Sequence, residues 1–434
     1  MERLKQKFNE FKDGLKDSGP HDAREAQNQP QDAHPDEGSD GPAHGQPQGQ
    51  PDQMPMNSQP NRQPGQPVTP RIKGEPRLLG LVGDPGLNRD SGGSVRFGNR
   101  VFWTYRDTQL CNSDGSVRMF PIISSTASWS DYSKDGGPDL QPARGDPLRS
   151  VVLRQYGKNQ EAQSFFHNMP HICEAPAGNK NDGTRIALWP DSPPLVTEET
   201  SDGKIKAYTW VKQAHIGHDL SVKTEHPATI LYRTDYHPSM FHSHHDLPKV
   251  TAVDEQFWKP GEIAHGSFGN VIKDGIAYLY GREKHITSLA RVPVHDIENR
   301  HAYEYWVNGS WTKSVPSIAQ EGIDIPNACA GGQGTYYFNE HWQCYVWIGG
   351  DPFPGAEMYI TTAPEPQGPW LQPQMFYTGP RGNHLLGAYS VQAHPSLTYG
   401  EKRNGMYLTY TKNDEPERGD IAGYTTPLIY VEFE

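Results

Sequence analysis

Long apolar runs are missing from this sequence. None approaches the roughly 20 residues a membrane-spanning helix needs, so no helical span is expected. The first residues lack the apolar core of a secretory leader, since residues 1–17 are heavily charged. Conventional secretion is therefore not expected, and the location read from the sequence is cytoplasmic or reached by unconventional export. Cysteine is scarce: Cys111, Cys173, Cys329 and Cys344 are widely separated and form no CxxC pair. Such spacing fits free core thiols better than a disulfide framework or a zinc site. Positive charge is also short, with 40 Lys and Arg against 52 Asp and Glu and a net charge of −12. That balance argues against nucleic acid as the main partner. The glycine-rich stretch GGQGTYY from Gly331 to Tyr337 lacks the Lys-Ser/Thr of a phosphate loop, and no cofactor is expected.

Aromatic residues, glycine and proline are plentiful, a composition that suits an all-β fold with many turns. The N-terminal part differs. Leu4, Phe8, Phe11 and Leu15 are spaced as one face of a short amphipathic helix over residues 1–17. Its lysines make weak contact with a membrane surface or a partner one reading, and a fraying, unattached helix the other. Residues 18–75 contain no aromatic residue and no cysteine and are rich in Gln, Pro, Gly, Asp and Asn. A segment of that kind cannot bury enough apolar surface to offset the entropy of ordering it, so a disordered linker is expected.

From Pro76 to Glu434 no comparable linker recurs, and residues 76–434 are expected to form one domain. Five segments there share a turn, an apolar-aromatic strand and a polar exit: Asn99–Thr108, Asp202–Gln213, Asp274–Glu283, His341–Asp351 and Asn404–Asn413. Ahead of each lies a second candidate strand that begins among small or polar residues, such as RDSGGSVRF before the first and GTRIALWPDSP before the second. Counted from Val101, the aromatic strands recur at Ile205, Ile276, Cys344 and Met406, at intervals of 104, 71, 68 and 62 residues. Each interval has room for a four-stranded sheet, and the long first one implies an insertion. Five equivalent hairpins predict a five-bladed β-propeller preceded by a disordered N-terminal segment; a β-sandwich does not predict them.

In a propeller the first strand of each blade lines the central channel, and ligands bind at one mouth. The polar residues expected on those strands or at their starts are Asp90, Asp191, Glu262, His265, Gln333, Gln392 and His394. This mixture of acids, amides and imidazoles suits a polyhydroxylated ligand, and Trp189 or another strand tryptophan can offer it an aromatic face. The stretch GDPGLNRDSGGSVRFGNRVFWTYRDT from Gly83 to Thr108 places Arg89-Asp90 before its first strand and Arg106-Asp107 at the end of its second. A hairpin brings both carboxyl groups to one end of the sheet, the minimum equipment for hydrolysing a glycosidic bond. The histidines of YHPSMFHSHHDLPK (His237, His242, His244 and His245, with Asp246) include metal-capable ligands, but surface loops commonly carry such residues and no metal is assigned.

The combination of RDSGGS, a short hairpin and WTYRDT resembles the opening blade of a large family of five-bladed propellers long labelled a domain of unknown function. The stretch DGIAYLYGREKHITSLARVPVHDIENRHAYEYWVNGSW and the later MYITTAPEPQGPW are similar to the same family. Some of its members are endo-D-arabinanases of glycoside hydrolase family 183. The resemblance implies that Asp90 and Asp107 are the paired catalytic acids, with Asp90 as base or nucleophile and Asp107 as its acidic partner. Glu262 is the candidate third carboxylate. Arg89, Arg106, Trp189, Asp191, His265, Gln333, Gln392 and His394 are the candidate substrate contacts. Arg106 stands where the family usually has glycine, so it is expected either to crowd the pocket or to hold Asp107 ionised. Two functions follow: a glycoside hydrolase acting on furanosidic, arabinan-like polysaccharide, or a non-catalytic propeller that binds glycan or a protein.

Overall fold

The computed structural model describes residues 65–173, 177–219, 221–417 and 419–434. The helix expected over residues 1–17 and the linker as far as residue 64 lie outside the described residues. The rest is all β-strand apart from four short 3-10 turns, arranged as a five-bladed propeller.

All five aromatic segments are second strands of blades: Arg100–Tyr105, Ile205–Ile216, Ile276–Glu283, Cys344–Gly350 and Gly405–Asp414. In blade 1 the order from the channel outward is Gly92–Phe97, Arg100–Tyr105 and Thr126–Asp131, with Tyr156 bridged to Trp129 at the outer edge. Blade 3 runs Gly269–Lys273, Ile276–Glu283, Ile286–Pro293, Glu304–Val307 and Ser310–Thr312. Blade 4 runs Gly334–Asn339, Cys344–Gly350, Glu357–Ala363 and Gln374–Thr378. The long first interval holds the outer parts of blade 1 and then Val151–Arg154, which joins the blade 5 sheet by pairing in parallel with Arg77–Gly83.

The ring is closed by the start of the domain. Ala388–Ala393, Gly405–Asp414 and Pro427–Glu432 form three strands of blade 5, and Arg77–Gly83 adds the next, antiparallel to Pro427–Glu432. The folded part begins earlier than the expected Pro76. Val68 is buried, and its N–H donates to Thr362 Oγ1 at 2.9 Å. Ile72 bridges Phe433, and both the Ile72 and Val68 side chains join an apolar cluster shared by blades 4 and 5.

Blade 2 departs from the regular pattern where it matters for the site. Its channel position is filled by two short strands, Arg185–Trp189 and Leu195–Glu199, which pair with opposite ends of Ile205–Ile216. Between them lie Pro190, Asp191, Ser192, Pro193 and Pro194. Proline has no N–H for the ladder, so pairing stops there and Asp191 is released toward the channel.

The core lies between blades. Trp103, Trp129, Trp210, Trp258 and Trp347 are fully buried, each contributing apolar area worth about 25 cal/mol per Å². Tyr280 of blade 3 stacks on Tyr336 of blade 4 at 3.7 Å between centroids. A small residue is required where strands meet such rings. Gly266 has φ +89°, and a Cβ there would lie 2.5 Å from the Trp210 indole. The small residues expected at the channel are thus also packing requirements.

Candidate active site

Asp90 and Asp107 face each other across the extension of the first hairpin ladder. The Asp90 N–H donates to the Asp107 carbonyl at 2.8 Å, and the Arg106 N–H to the Asp90 carbonyl at 3.0 Å. Both half-buried carboxyl groups therefore stand at the same mouth, where the first strands of the blades begin. Thr411 Oγ1, from blade 5, donates to Asp90 Oδ1 at 3.0 Å and accepts the Ser91 N–H at 2.8 Å. Tyr389, also from blade 5, acts on the same carboxyl group and opposes its rise. Burial pushes the Asp90 carboxyl up to about 6, with Arg106 opposing and Asp107 adding to the rise.

Asp107 has a different setting. Arg185 pairs with its Oδ2, and Trp189 Nε1 donates to its Oδ1 at 2.8 Å. Each oxygen is thus met by a fixed donor. The partner is not Arg106. That guanidinium turns to the centre of the mouth, where Nη2 donates to Gln333 Oε1 and to Ser390 Oγ (the latter at 2.6 Å), and Nη1 lies 3.4 Å from Asp191 Oδ1. Gln333 Nε2 also donates to Asp191 Oδ1 at 3.0 Å. Burial alone would lower the pKa of Arg106, but Asp191, Asp90, Tyr389 and Asp107 together hold it raised. Of the two expected effects of Arg106, it is crowding of the mouth that the side-chain positions display.

The backbone is strained at the same place. Ser91 has φ 46° and Ser390 has φ 59°, both in the left-handed region that costs a non-glycine residue about 1 kcal/mol or more. These two residues adjoin Asp90 and Tyr389. Beneath them Gln392 is buried and reaches across the channel: its Oε1 accepts from Thr335 Oγ1 at 2.7 Å and its Nε2 donates to the Asp191 carbonyl at 3.5 Å.

Six sequence-derived candidates are therefore together: Asp90, Arg106, Asp107, Trp189, Asp191 and Gln333, with Gln392 beneath them. Four are elsewhere. The Arg89 guanidinium points into blade 1, donating to Ser128, Gln155 and the Ala127 carbonyl and lying over the Tyr105 ring. Glu262 accepts two hydrogen bonds from Arg300, at 2.5 and 2.6 Å, and one from the Lys259 N–H at 2.7 Å, so it closes its own loop and touches none of the mouth residues. His265 is buried among Trp258 and Tyr305 and bonds Ser288 at 3.0 Å. His394 lies between Ser94 and Thr409, at 2.7 and 2.6 Å, against Trp103. Burial lowers both imidazoles to about 3, so they are neutral core residues.

Arg185, Tyr389 and Thr411 were missed. Arg185 is the first strand residue of GTRIALWPDSP, and a strand-starting arginine was the only local sign of it. The others lie about 300 residues from Asp90 and carry no local signature. Among the described residues no group of three or more His, Cys, Asp or Glu is placed to hold a metal ion. In the histidine-rich loop Asp246 accepts backbone N–H groups from His242 and Ser243, and His244 stacks on Tyr156. A cavity of about 310 Å³ occupies the other end of the channel, lined by Ser94, Pro193, Asn270, Thr335 and Ser396 and containing none of the acids.

The molecule is thus a five-bladed propeller with an acid-lined mouth. The chain belongs to the family described as a domain of unknown function (DUF5005), which matches residues 159–420, more than half of it. That match begins beyond Asp90 and Asp107. A candidate hydrolase from Bacteroides ovatus shares the fold, with a TM-score of 0.53, 15% identity and coverage of 82% of this chain and 87% of that one. A glycoside hydrolase family 43 arabinoxylan arabinofuranohydrolase from Bacillus subtilis gives a TM-score of 0.38 at 14% identity, over 81% of this chain and 66% of that one. A family 43 enzyme from Xanthomonas citri gives 0.38 at 10% identity, over 81% and 89%. No curated protein matches the sequence.

Proposed function

We propose that the protein is a glycoside hydrolase acting at the Asp90–Asp107 mouth on furanosidic, arabinan-like polysaccharide. The observation that carries this reading is the contrast between two facing carboxyl groups. Asp90 keeps its proton to about pH 6, whereas both oxygens of Asp107 are met by Arg185 and Trp189. A carboxyl group raised by burial beside a second carboxyl group suits the acid role of such a pair. Asp90 is then the proton donor to the leaving oxygen. Asp107 is the carboxylate that supports positive charge developing on the sugar ring. These roles reverse the assignment expected from the sequence, because Arg185 and the depth of Asp90 are both set by the tertiary structure.

Asp191, Gln333 and Arg106 form a polar floor that can hydrogen-bond sugar hydroxyls, and Trp189 supplies a partly exposed ring beside Asp107. The arabinan preference rests on the sequence resemblance alone. The test is product release from a panel of arabinan, arabinoxylan and xylan oligosaccharides, with Asp90→Asn as the control. Hydrolysis of the arabinan members that vanishes in the variant supports the reading. Saturable binding without product supports the non-catalytic glycan-binding propeller instead.

A further inference from the structure

Arg89 is a buried cation that forms no ion pair among the described residues. It is 4% exposed, and its guanidinium donates only to neutral acceptors. These are Ser128 Oγ and Gln155 Oε1, each 3.1 Å from Nη1, and the Ala127 carbonyl, 3.3 Å from Nη2. The Tyr105 ring lies against it, with 4.6 Å from Cζ to the ring centroid. Burial lowers the Arg89 pKa against the opposing pull of Tyr105 and of Asp84, whose own Oδ1 accepts the Gly86 N–H at 2.9 Å. A buried charge without a bound counter-charge is among the costliest groups a fold can carry.

The donors around this cation are unmet as well. Arg89 Nε, the Tyr105 hydroxyl and Gln155 Nε2 are all buried and have no hydrogen-bond partner. Their residues are neighbours, since Gln155 and Tyr105 both touch the same guanidinium. Burial holds the Tyr105 hydroxyl protonated, with the Arg89 charge and the Gln155 amide opposing, so it is a donor too. The acceptors at hand, Gln155 Oε1, Ser128 Oγ and the Ala127 carbonyl, already receive Arg89. A bridging water would need acceptors for its own hydrogens. An anion only accepts, and it supplies the missing negative charge.

Closure of the ring builds this place. Tyr105 and Ser128 lie on the second and third strands of blade 1. Gln155 follows Val151–Arg154 of the blade 5 sheet, and its N–H donates to the Gly83 carbonyl at 2.8 Å. The Tyr105 ring is closely held, because a Cβ at Gly92 would lie 2.4 Å from it. We infer that a small monovalent anion of the chloride class binds at Arg89, in the seam between blades 1 and 5, accepting from Arg89 Nε, the Tyr105 hydroxyl and Gln155 Nε2. It neutralises the buried guanidinium and ties the first blade to the sheet that closes the ring. The inference does not depend on the hydrolase reading.

Chloride itself is the probe. The full chain, freed of chloride, is melted in rising sodium chloride, with sodium gluconate (a bulkier monovalent anion) holding ionic strength constant. A saturable rise in Tm of roughly 1 to 4 °C is expected at about tenfold excess over Kd. Broadening of the chloride NMR line should saturate in parallel. Arg89→Met should abolish both responses. Tyr105→Phe, which removes one oxygen, should weaken chloride affinity about 10-fold. Equal melting in the two salts without line broadening overturns the site and leaves water in its place. A chloride response unchanged in Arg89→Met puts the anion elsewhere and overturns it too. If Arg89→Met does not fold, Tyr105→Phe decides, and undiminished chloride affinity in that variant overturns the assignment.

Discussion

Two clusters in this propeller join carboxylates to arginines, and they differ in kind. Glu262 meets one guanidinium, Arg300, through both oxygens and caps its own loop through the Lys259 N–H. It is a closed unit of one acid and one base. At the mouth, three aspartates share two arginines, the residues come from blades 1, 2, 4 and 5, and two serines in left-handed backbone stand among them. A closed pair ties down structure. An open cluster, with one carboxyl that keeps its proton to about pH 6, retains free chemistry.

Substitutions separate the two clusters most clearly through activity. Asp90→Asn should lower hydrolysis of an arabinan oligosaccharide by about 10³-fold or more, the scale of a lost acid–base group, with folding intact by circular dichroism. Survival of activity in that variant would remove Asp90 from the mechanism. Asp107→Asn should cost about 10²-fold, measured as kcat, since it weakens charge support and leaves Arg185 without its full partner. Glu262→Gln should leave kcat/KM within about twofold and lower stability by roughly 1 kcal/mol in denaturant titration, because the pair it breaks is partly exposed. A large activity loss there would restore Glu262 to the site.

The pH dependence sharpens the same contrast. With Asp90 as the proton donor, activity should fall as pH rises through about 6. Arg106 opposes the rise in the Asp90 pKa, so Arg106→Gln should move that limb upward by about one unit, read from kcat/KM against pH. A limb that moved downward would contradict the assignment. Stability carries the smallest signal. The folded pKa of Asp90 lies above its unfolded value, so its contribution is present below about pH 4 and is lost as pH rises through about 6. Asp90→Asn should therefore be more stable than the wild type at pH 8, by at most about 3 kcal/mol, and the difference should close by pH 4 in thermal melts.

Much of the fold was legible because its signals are local. A two-strand hairpin needs only alternating apolar residues, a turn and a polar exit, and Val101, Ile205, Ile276, Cys344 and Met406 mark such strands within a dozen residues each. The same locality placed Asp90 opposite Asp107, since ladder register fixes which residues face each other. Mouth and core polar residues, by contrast, look alike in sequence. Gln333 and His394 both sit at small-residue strands, yet one reaches Arg106 and the other is sealed between Ser94 and Thr409. Burial decides that difference, and burial is a property of neighbouring blades.

What the sequence alone determined is the repeated hairpin, and with it the all-β class, the five blades and one facing pair of acids. Contacts within about twenty residues suffice for these. The tertiary structure decided the rest: closure of the ring by Arg77–Gly83 against Pro427–Glu432, the turn of Arg106 toward Asp191, and the arrival of Arg185, Tyr389 and Thr411 at the two aspartates. Those partners lie roughly 80 to 320 residues apart along the chain. Their positions follow from how five twisted sheets pack around one axis, and through burial and charge that packing sets how far the Asp90 carboxyl is raised.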